Sequence, residues 1–334
     1  MHLEQLFSNK KVLIIGDSIL DWYVYGKVTR VSPEAPVPVV LKKQEKLFPG
    51  GAANVAQNVV ALGGQAFLIS VVGQDKNAEL LEKICLDKKI QTYFFPDPRP
   101  TTTKTRIIGN NHQITRIDEE EISPITEQLS ETIFLLFKKL ICSVDCVVLQ
   151  DYGKGLLLPS LCQRIISLCS EKKKTVLVDP KERDISKFFG ADVIKPNLSE
   201  LKYIAGIPVE KELTKEEIQN CALQLMDKFS IKMSLITLSE KGMLLITKNE
   251  TLHQEGIKIE VSDVSGAGDT VSSTFSLCLA ANLSLGDSVK ISNIAGSIVC
   301  QFSGAVPIQA AQLINYLQRV KPLLQLSDGT PVLV

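Results

Sequence analysis

Short, almost wholly apolar runs alternate with longer amphipathic ones through most of this chain. Residues 11–16 (Lys-Val-Leu-Ile-Ile-Gly), 145–150 (Asp-Cys-Val-Val-Leu-Gln), 175–178 and 233–238 have no polar face. They read as parallel strands covered on both sides. Helical periodicity fills 51–63, 76–88, 126–140, 158–172 and 214–229, and then 268–282, 286–303 and 308–320. This order predicts an α/β fold, a mostly parallel central sheet between two layers of helices.

Two segments break the alternation. Residues 21–43 are rich in Val, Tyr and Pro, and in 101–118 Thr, Ile and Arg recur with few helix formers. Both read as antiparallel ribbons projecting from the main sheet. Such ribbons are too small to hold a core, so the main sheet or a second subunit must cover their apolar face. A small β lid that also makes a homodimer meets that need. No Pro/Gly/Ser-rich linker or internal repeat appears, so 1–334 is expected to be one domain plus its lid.

The composition bounds the partners. With 45 % hydrophobic and 22 % charged residues the chain is an ordinary globular one. Lys plus Arg equals Asp plus Glu at 37 each, which leaves no excess charge to draw in nucleic acid or an anionic membrane. Eight scattered cysteines, mostly in apolar runs, read as reduced, buried thiols, Cys142 and Cys146 among them. With three histidines in the chain, a zinc site is not expected. Met1 to Lys11 has no apolar signal core, and no run reaches the roughly 18 apolar residues of a membrane span, so a cytoplasmic location is expected.

The strongest chemical signal is Asp263-Val264-Ser265-Gly266-Ala267-Gly268-Asp269-Thr270, which opens a helix-compatible run. Unpaired N–H groups and the helix dipole make such a start an anion site, and the glycines let a phosphate come close. Asp269 beside it can accept a proton from an attacking hydroxyl. Taken alone, the motif also fits a tight turn with Asp269 as a helix cap. A second Gly pair, Gly50-Gly51, precedes Asn54 and Asn58, whose i, i+4 spacing puts both amides on one helix face, towards one ligand.

Together these segments resemble the ribokinase-like (PfkB) carbohydrate kinases, along essentially the whole chain. Within that family the chain is most similar to the D-glycero-β-D-manno-heptose 7-phosphate kinases, through Arg30-Val31-Ser32-Pro33-Glu34-Ala35-Pro36-Val37-Pro38 and Asp151-Tyr152-Gly153-Lys154-Gly155. Asp179-Pro180-Lys181, Pro196-Asn197-Leu198-Ser199-Glu200 and the segment from Thr103 to Asp118 agree as well.

The resemblance implies a three-layer α/β/α kinase using ATP and Mg²⁺, with a monovalent cation allowed by the family. Asp269 would be the catalytic base, and the backbone of Gly266, Ala267 and Gly268 would hold the transferring charge. Asp21, Gly50, Gly51 and Asn54 would hold the sugar, and Arg106 and Gln113 on the second ribbon would close over its phosphate. Lys154 and Lys181 each follow a strand and a polar turn, where ligands of open α/β sheets bind. Asn197 and Glu200 would organise hydrated Mg²⁺ near the ATP phosphates, Glu200 through water. Ser239 and Gly242 would meet the nucleotide phosphates, and Asn293 and Gly296 the adenine. The implied partners are ATP and a sugar phosphate.

Ser265 stands where the family commonly has Thr, and Asn110 and His112 replace Arg and Gln. Some heptose 7-phosphate kinases are fused to a nucleotidyltransferase domain marked by His-x-Gly-His. That segment is not in this sequence, and a stand-alone kinase is expected.

Overall fold

A computed structural model describes residues 3–320 and 323–334. Its strands are β1 (Lys11–Gly16), β2 (Ser18–Val31), β3 (Pro38–Gly51), β4 (Gln65–Val72), β5 (Gln91–Pro96), β6 (Thr103–Gly109), β7 (His112–Glu119) and β8 (Cys146–Gln150). They continue with β9 (Thr175–Asp179), β10 (Val193–Ile194), β11 (Met233–Thr237), β12 (Met243–Thr247), β13 (Thr251–Gln254), β14 (Leu323–Gln325) and β15 (Pro331–Leu333).

Nine strands form the central sheet in the order β13-β12-β11-β10-β9-β8-β1-β4-β5. Every pairing from β5 to β11 is parallel, and the last two, β11/β12 and β12/β13, are antiparallel. Alternate residues of β1 go to opposite cores: Val12 and Ile14 pack with the helices Ala52–Ala61, Ala267–Ala280 and Leu285–Val299. Leu13 and Ile15 pack with Glu127–Leu140, Pro159–Glu171 and Lys215–Phe229. The period of two along a strand thus fills both interlayer spaces and makes the expected three layers. Helix starts follow local chemistry: Thr126 accepts from Leu129 N, and Thr214 and Glu217 close a capping box.

The lid is larger and more joined than two separate ribbons. The hairpins β2/β3 and β6/β7 are antiparallel, but β2 also pairs in parallel with β6, giving one four-stranded sheet β3-β2-β6-β7. The first hairpin runs from Ser18 to Gly51, wider than 21–43, because its strands continue to Gly50 and Gly51 at the site itself. Asn110, with φ 51°, and Asn111, with φ 66°, form the tip of the second hairpin. That backbone suits Asn, and the Asn110 amide also bonds Val28 N and O across the lid. Asn110 is therefore a turn residue.

One expectation for the cysteines is corrected. Cys85, Cys146, Cys162, Cys169, Cys221 and Cys278 are buried and Cys300 is half-buried, but Cys142 is exposed. It sits in the 3-10 turn Ile141–Ser143, where Ile141 takes the inward position.

Candidate active site

The carboxyl ends of the parallel strands converge on one place. Gln150 ends β8, Asp179 ends β9 and Lys195 follows β10, and the N-terminal turn of the helix Ala267–Ala280 faces all three. Gly266 caps that helix at φ 80°, a conformation open to Gly and strained for other residues. No side chain caps it, so Asp269 is not spent as a helix cap.

The Asp269 carboxylate is instead held from three sides. Its Oδ2 accepts from Asn54 Nδ2 at 2.7 Å, and its Oδ1 accepts from the Tyr152 hydroxyl at 2.8 Å and Gln150 Nε2 at 3.1 Å. Burial pushes its pKa up to about 7. The bond from Asn54 pulls it down, the nearby Asp179 carboxylate pushes it up, and Tyr152 and then Lys195 pull it down. The group is thus poised near neutral pH, where a general base works best. Gln150 Nε2 also donates to Asp179 Oδ2 at 2.8 Å, and Lys195 Nζ lies 3.0 Å from that oxygen. Burial is the larger influence on Asp179 and raises its pKa despite Lys195.

On one side of Asp269 lies a cavity of about 790 Å³. Gly266, Ala267, Gly268, Lys181, Asn197, Glu200, Ser239, Gly242, Asn293 and Gly296 all line it. Several also have local bonds. Asn197 Oδ1 accepts from Glu200 N at 2.8 Å while Glu200 Oε2 accepts from Asn197 N at 2.9 Å, a capping box. Lys181 Nζ lies 3.1 Å from Glu200 Oε1, which sets this lysine beside Asn197 and Glu200 and away from the lid. Asn293 Nδ2 donates to Glu255 O at 2.8 Å and so ties down the segment after β13. Ala267 N donates to Val264 O at 3.3 Å.

The other side is the root of the lid. Arg106 is ion-paired to Asp21 and lies 5.0 Å above the Tyr23 ring. Burial lifts the Asp21 carboxyl above its usual range even so, while Asp21 holds Arg106 the more firmly protonated. Gly50 is needed because a Cβ there would fall 2.2 Å from Asp21 Oδ2. Asp21 pairs with Lys104, Lys104 with Asp118, and Arg106 with Arg116, so these side chains share one region of the lid.

Of three further sequence-named residues, Asn58 lies differently from expectation. Asn58 does not share a ligand with Asn54: its Nδ2 bonds Asn54 O and its Oδ1 accepts from Thr270 Oγ1 and Ile308 N, so it locks two helices together. Lys154 Nζ pairs with Glu120 at 2.8 Å beside a separate small cavity, and its backbone N donates to Asp17 Oδ2. Gln113 is exposed on β7. Gln150, Tyr152, Asp179 and Lys195 were not singled out from the sequence. Each sits at a strand end or within two residues of one, the rule that did pick out Lys154 and Lys181.

The Gly266 geometry makes a prediction. A Cβ there would lie 2.6 Å from Asn54 Nδ2, the atom that holds Asp269 Oδ2. Gly266→Ala is expected to lower kcat by about tenfold to thirtyfold, from a strained φ and a displaced amide costing together roughly 1–2 kcal/mol at the transition state. Steady-state kinetics checks this, and an unchanged kcat would remove Asn54 from the holding of Asp269.

Comparison with known proteins decides the family. The model of the pfkB family carbohydrate kinases matches residues 9–311. The chain belongs to this family. It is 39 % identical over 315 residues to the bifunctional protein HldE of Caulobacter vibrioides, covering 93 % of this chain and 64 % of that protein. To the bifunctional protein HldE of Helicobacter pylori (strain 26695) it is 37 % identical over 316 residues, covering 94 % and 68 %. The chain therefore spans about two-thirds of the length of these relatives. Among solved structures it superposes on the Arabidopsis thaliana ribokinase complexed with ribose and ATP with a TM-score of 0.71 at 18 % identity, over 92 % of this chain and 99 % of that one. On Escherichia coli phosphofructokinase-2 in complex with substrates and products the TM-score is 0.75 at 18 % identity, over 93 % and 100 %. The fold is ribokinase-like, and by its family the chain is a carbohydrate kinase.

Proposed function

We propose that this pfkB kinase transfers the γ-phosphate of ATP to the anomeric hydroxyl of D-glycero-β-D-manno-heptose 7-phosphate. The product is the 1,7-bisphosphate, on the route to nucleotide-activated heptose for lipopolysaccharide. The observation that carries this reading is the lid root: Lys104, Arg106 and Arg116 stand together beside Asp21 and Asp118, three cations against two carboxylates, with Arg116 2.8 Å from Asp118. An acceptor that brings its own phosphate suits such a place, and a neutral sugar does not. The segments Arg30 to Pro38 and Asp151 to Gly155 support the heptose in particular.

In this mechanism Asp21, Gly50, Gly51 and Asn54 hold the sugar, and Asp269 takes the proton of the anomeric hydroxyl as its oxygen bonds to the γ-phosphorus. The bond from that phosphorus to the bridging oxygen of ATP breaks, and ADP leaves with the electron pair. Backbone N–H groups at Gly266 to Gly268 receive the equatorial charge, as donors at a helix start do, Ala267 N by giving up its 3.3 Å bond to Val264 O. Ser239, Gly242, Asn293 and Gly296 hold the nucleotide.

Mg²⁺ fits the site as a hydrated ion. Both Glu200 oxygens already accept bonds, from Asn197 N and Lys181, and no cluster of three or more His, Cys, Asp or Glu suited to a metal occurs among the described residues. An ion that keeps several waters needs only one or two carboxylates and the substrate phosphates. Glu200 would hold it through water, and when bound it supplies charge neutralisation at the phosphates.

The whole chain acts as one kinase unit with its lid in this reading, in the cytoplasm where ATP is drawn on. Among the described residues no helix is long and apolar enough to cross a membrane. The lid carries exposed Val31, Val37, Leu41 and Ile117, which a second copy would cover in a homodimer. Light scattering should then return twice the chain mass.

An ADP-release assay tests the function. With ATP and Mg²⁺, heptose 7-phosphate should turn over at least about tenfold faster, by kcat/KM, than fructose 6-phosphate, ribose or a nucleoside. A better rate with one of those moves the acceptor. Binding of sugar and ATP with no turnover of any acceptor would make the protein a sensor.

A further inference from the structure

Asp269 must carry two protonation states in each turnover, carboxylate before transfer and carboxylic acid after it. Its three partners differ in how they can meet that change. Asn54 Nδ2 and Gln150 Nε2 are amide nitrogens, which donate only. Neither amide is free to turn its oxygen round instead. Asn54 Oδ1 already accepts from Gln57 Nε2 at 2.6 Å and Asn58 Nδ2 at 3.2 Å. Gln150 Oε1 has no partner, but turning it round would set it against the Asp179 carboxylate that Nε2 now serves along with Asp269. The Tyr152 hydroxyl, 2.8 Å from Asp269 Oδ1, is a rotor that donates or accepts.

We propose that Tyr152 is a positioning residue that follows the proton on the catalytic base, donating to the Asp269 carboxylate before transfer and accepting from its acid form afterwards. This inference rests on Asp269 being the base. The phenol keeps its own proton throughout. Burial and the adjacent Asp269 and Asp179 carboxylates raise its pKa well above the ordinary value, so it is no acid at working pH. On reversal its hydrogen turns into the nucleotide cavity, which Tyr152 lines. The backbone keeps the ring in place, because Tyr152 N donates to Asp17 Oδ2 at 3.0 Å and Gly153 N to Asp151 Oδ1 at 2.9 Å.

The charged groups around this pair are few. Asp179 from β9 and Lys195 after β10 act on Asp269, and Asp179 and Asp21 from β2 act on Tyr152. None of them donates a hydrogen bond to Asp269, so removing the phenol oxygen is not made good by a neighbour.

The test is a pH profile of kcat/KM for Tyr152→Phe and for the protein carrying a fluorinated tyrosine at 152, using the acceptor that the wild type turns over best. Losing a donor to the carboxylate should move the acidic limb up by about half a unit to one unit. The more acidic fluorinated phenol should move it down. For Tyr152→Phe, kcat should fall about tenfold or more with both KM values within about threefold. Limbs that stay put in both proteins overturn the inference, as does a raised acceptor KM at unchanged kcat, which would make Tyr152 a substrate contact. If Tyr152→Phe does not fold, the fluorinated protein decides. Full activity of Asp269→Asn would instead remove the reading of the base itself, so the two failures are told apart.

Discussion

Asp269→Asn is expected to lower kcat by between about 10² and 10⁴-fold while Kd for ATP and for the acceptor stays within about threefold. The variant keeps the side-chain shape between Asn54, Tyr152 and Gln150 and leaves the cavity lining in place, so binding has no reason to fail. What it removes is the group there able to take the proton. Single-turnover rates and calorimetric titration separate the two quantities. Retention of more than about a tenth of kcat would exclude Asp269 as the base.

The same substitution has a stability signature. The Asp269 carboxyl moves from its ordinary value of 3.8 to about 7 on folding. The folded protein therefore binds the proton more tightly than the unfolded chain does. Its contribution to stability is greatest below about 4 and is lost as pH rises towards 7. Between pH 5 and 8 that loss is about 3 kcal/mol. The amide that replaces the carboxyl does not titrate, although it must face one of the former donors, a cost present at every pH. The difference in unfolding free energy between variant and wild type should thus shift by about 3 kcal/mol in favour of the variant from pH 5 to pH 8. Denaturant titrations at the two pH values measure it, and a difference independent of pH would mean that the carboxyl is not perturbed.

How much could be seen from the sequence depended on the range of each interaction. The runs read at 11–16, 145–150 and 175–178 were legible because burial on both faces leaves almost no polar residue inside them. The two-residue β10 has no such pattern, and its place in the sheet comes from β9 and β11 on either side. In the site, the Asn197 and Glu200 capping box is local, its two partners only three residues apart. The bond from Asn54 to Asp269 joins residues 215 apart, and neither spacing nor the family resemblance, which sets Asn54 on the sugar, points to this amide as a partner of the base. Asn58 shows the limit of spacing. It shares a helix face with Asn54, yet Thr270 and Ile308 claim its amide oxygen, and those neighbours exist only once three segments have met. Tyr152 stands in a segment whose charge points to Lys154. The lysine pairs with Glu120 while the uncharged phenol meets the base.

Arg106→Met is expected to raise the acceptor KM by about 100-fold, with kcat changed less than about tenfold and the KM for ATP unaltered. A desolvated guanidinium bonded to a phosphate is worth on the order of 2–3 kcal/mol, which converts to that factor. Arg106 is ion-paired to Asp21 in the present structure, so its loss also strands a buried carboxylate. That cost is limited, because burial already lifts the Asp21 carboxyl and protonation relieves it. Two controls divide the effects. With an acceptor lacking the phosphate, wild type and variant should be alike, since the bond being removed is then absent from both. Arg106→Lys should recover about tenfold of the lost kcat/KM, as a point charge replaces a planar fork. If the unphosphorylated acceptor suffers as much as the phosphorylated one, Arg106 serves only to hold Asp21, and the phosphate is bound by Lys104 and Arg116 in the same region of the lid.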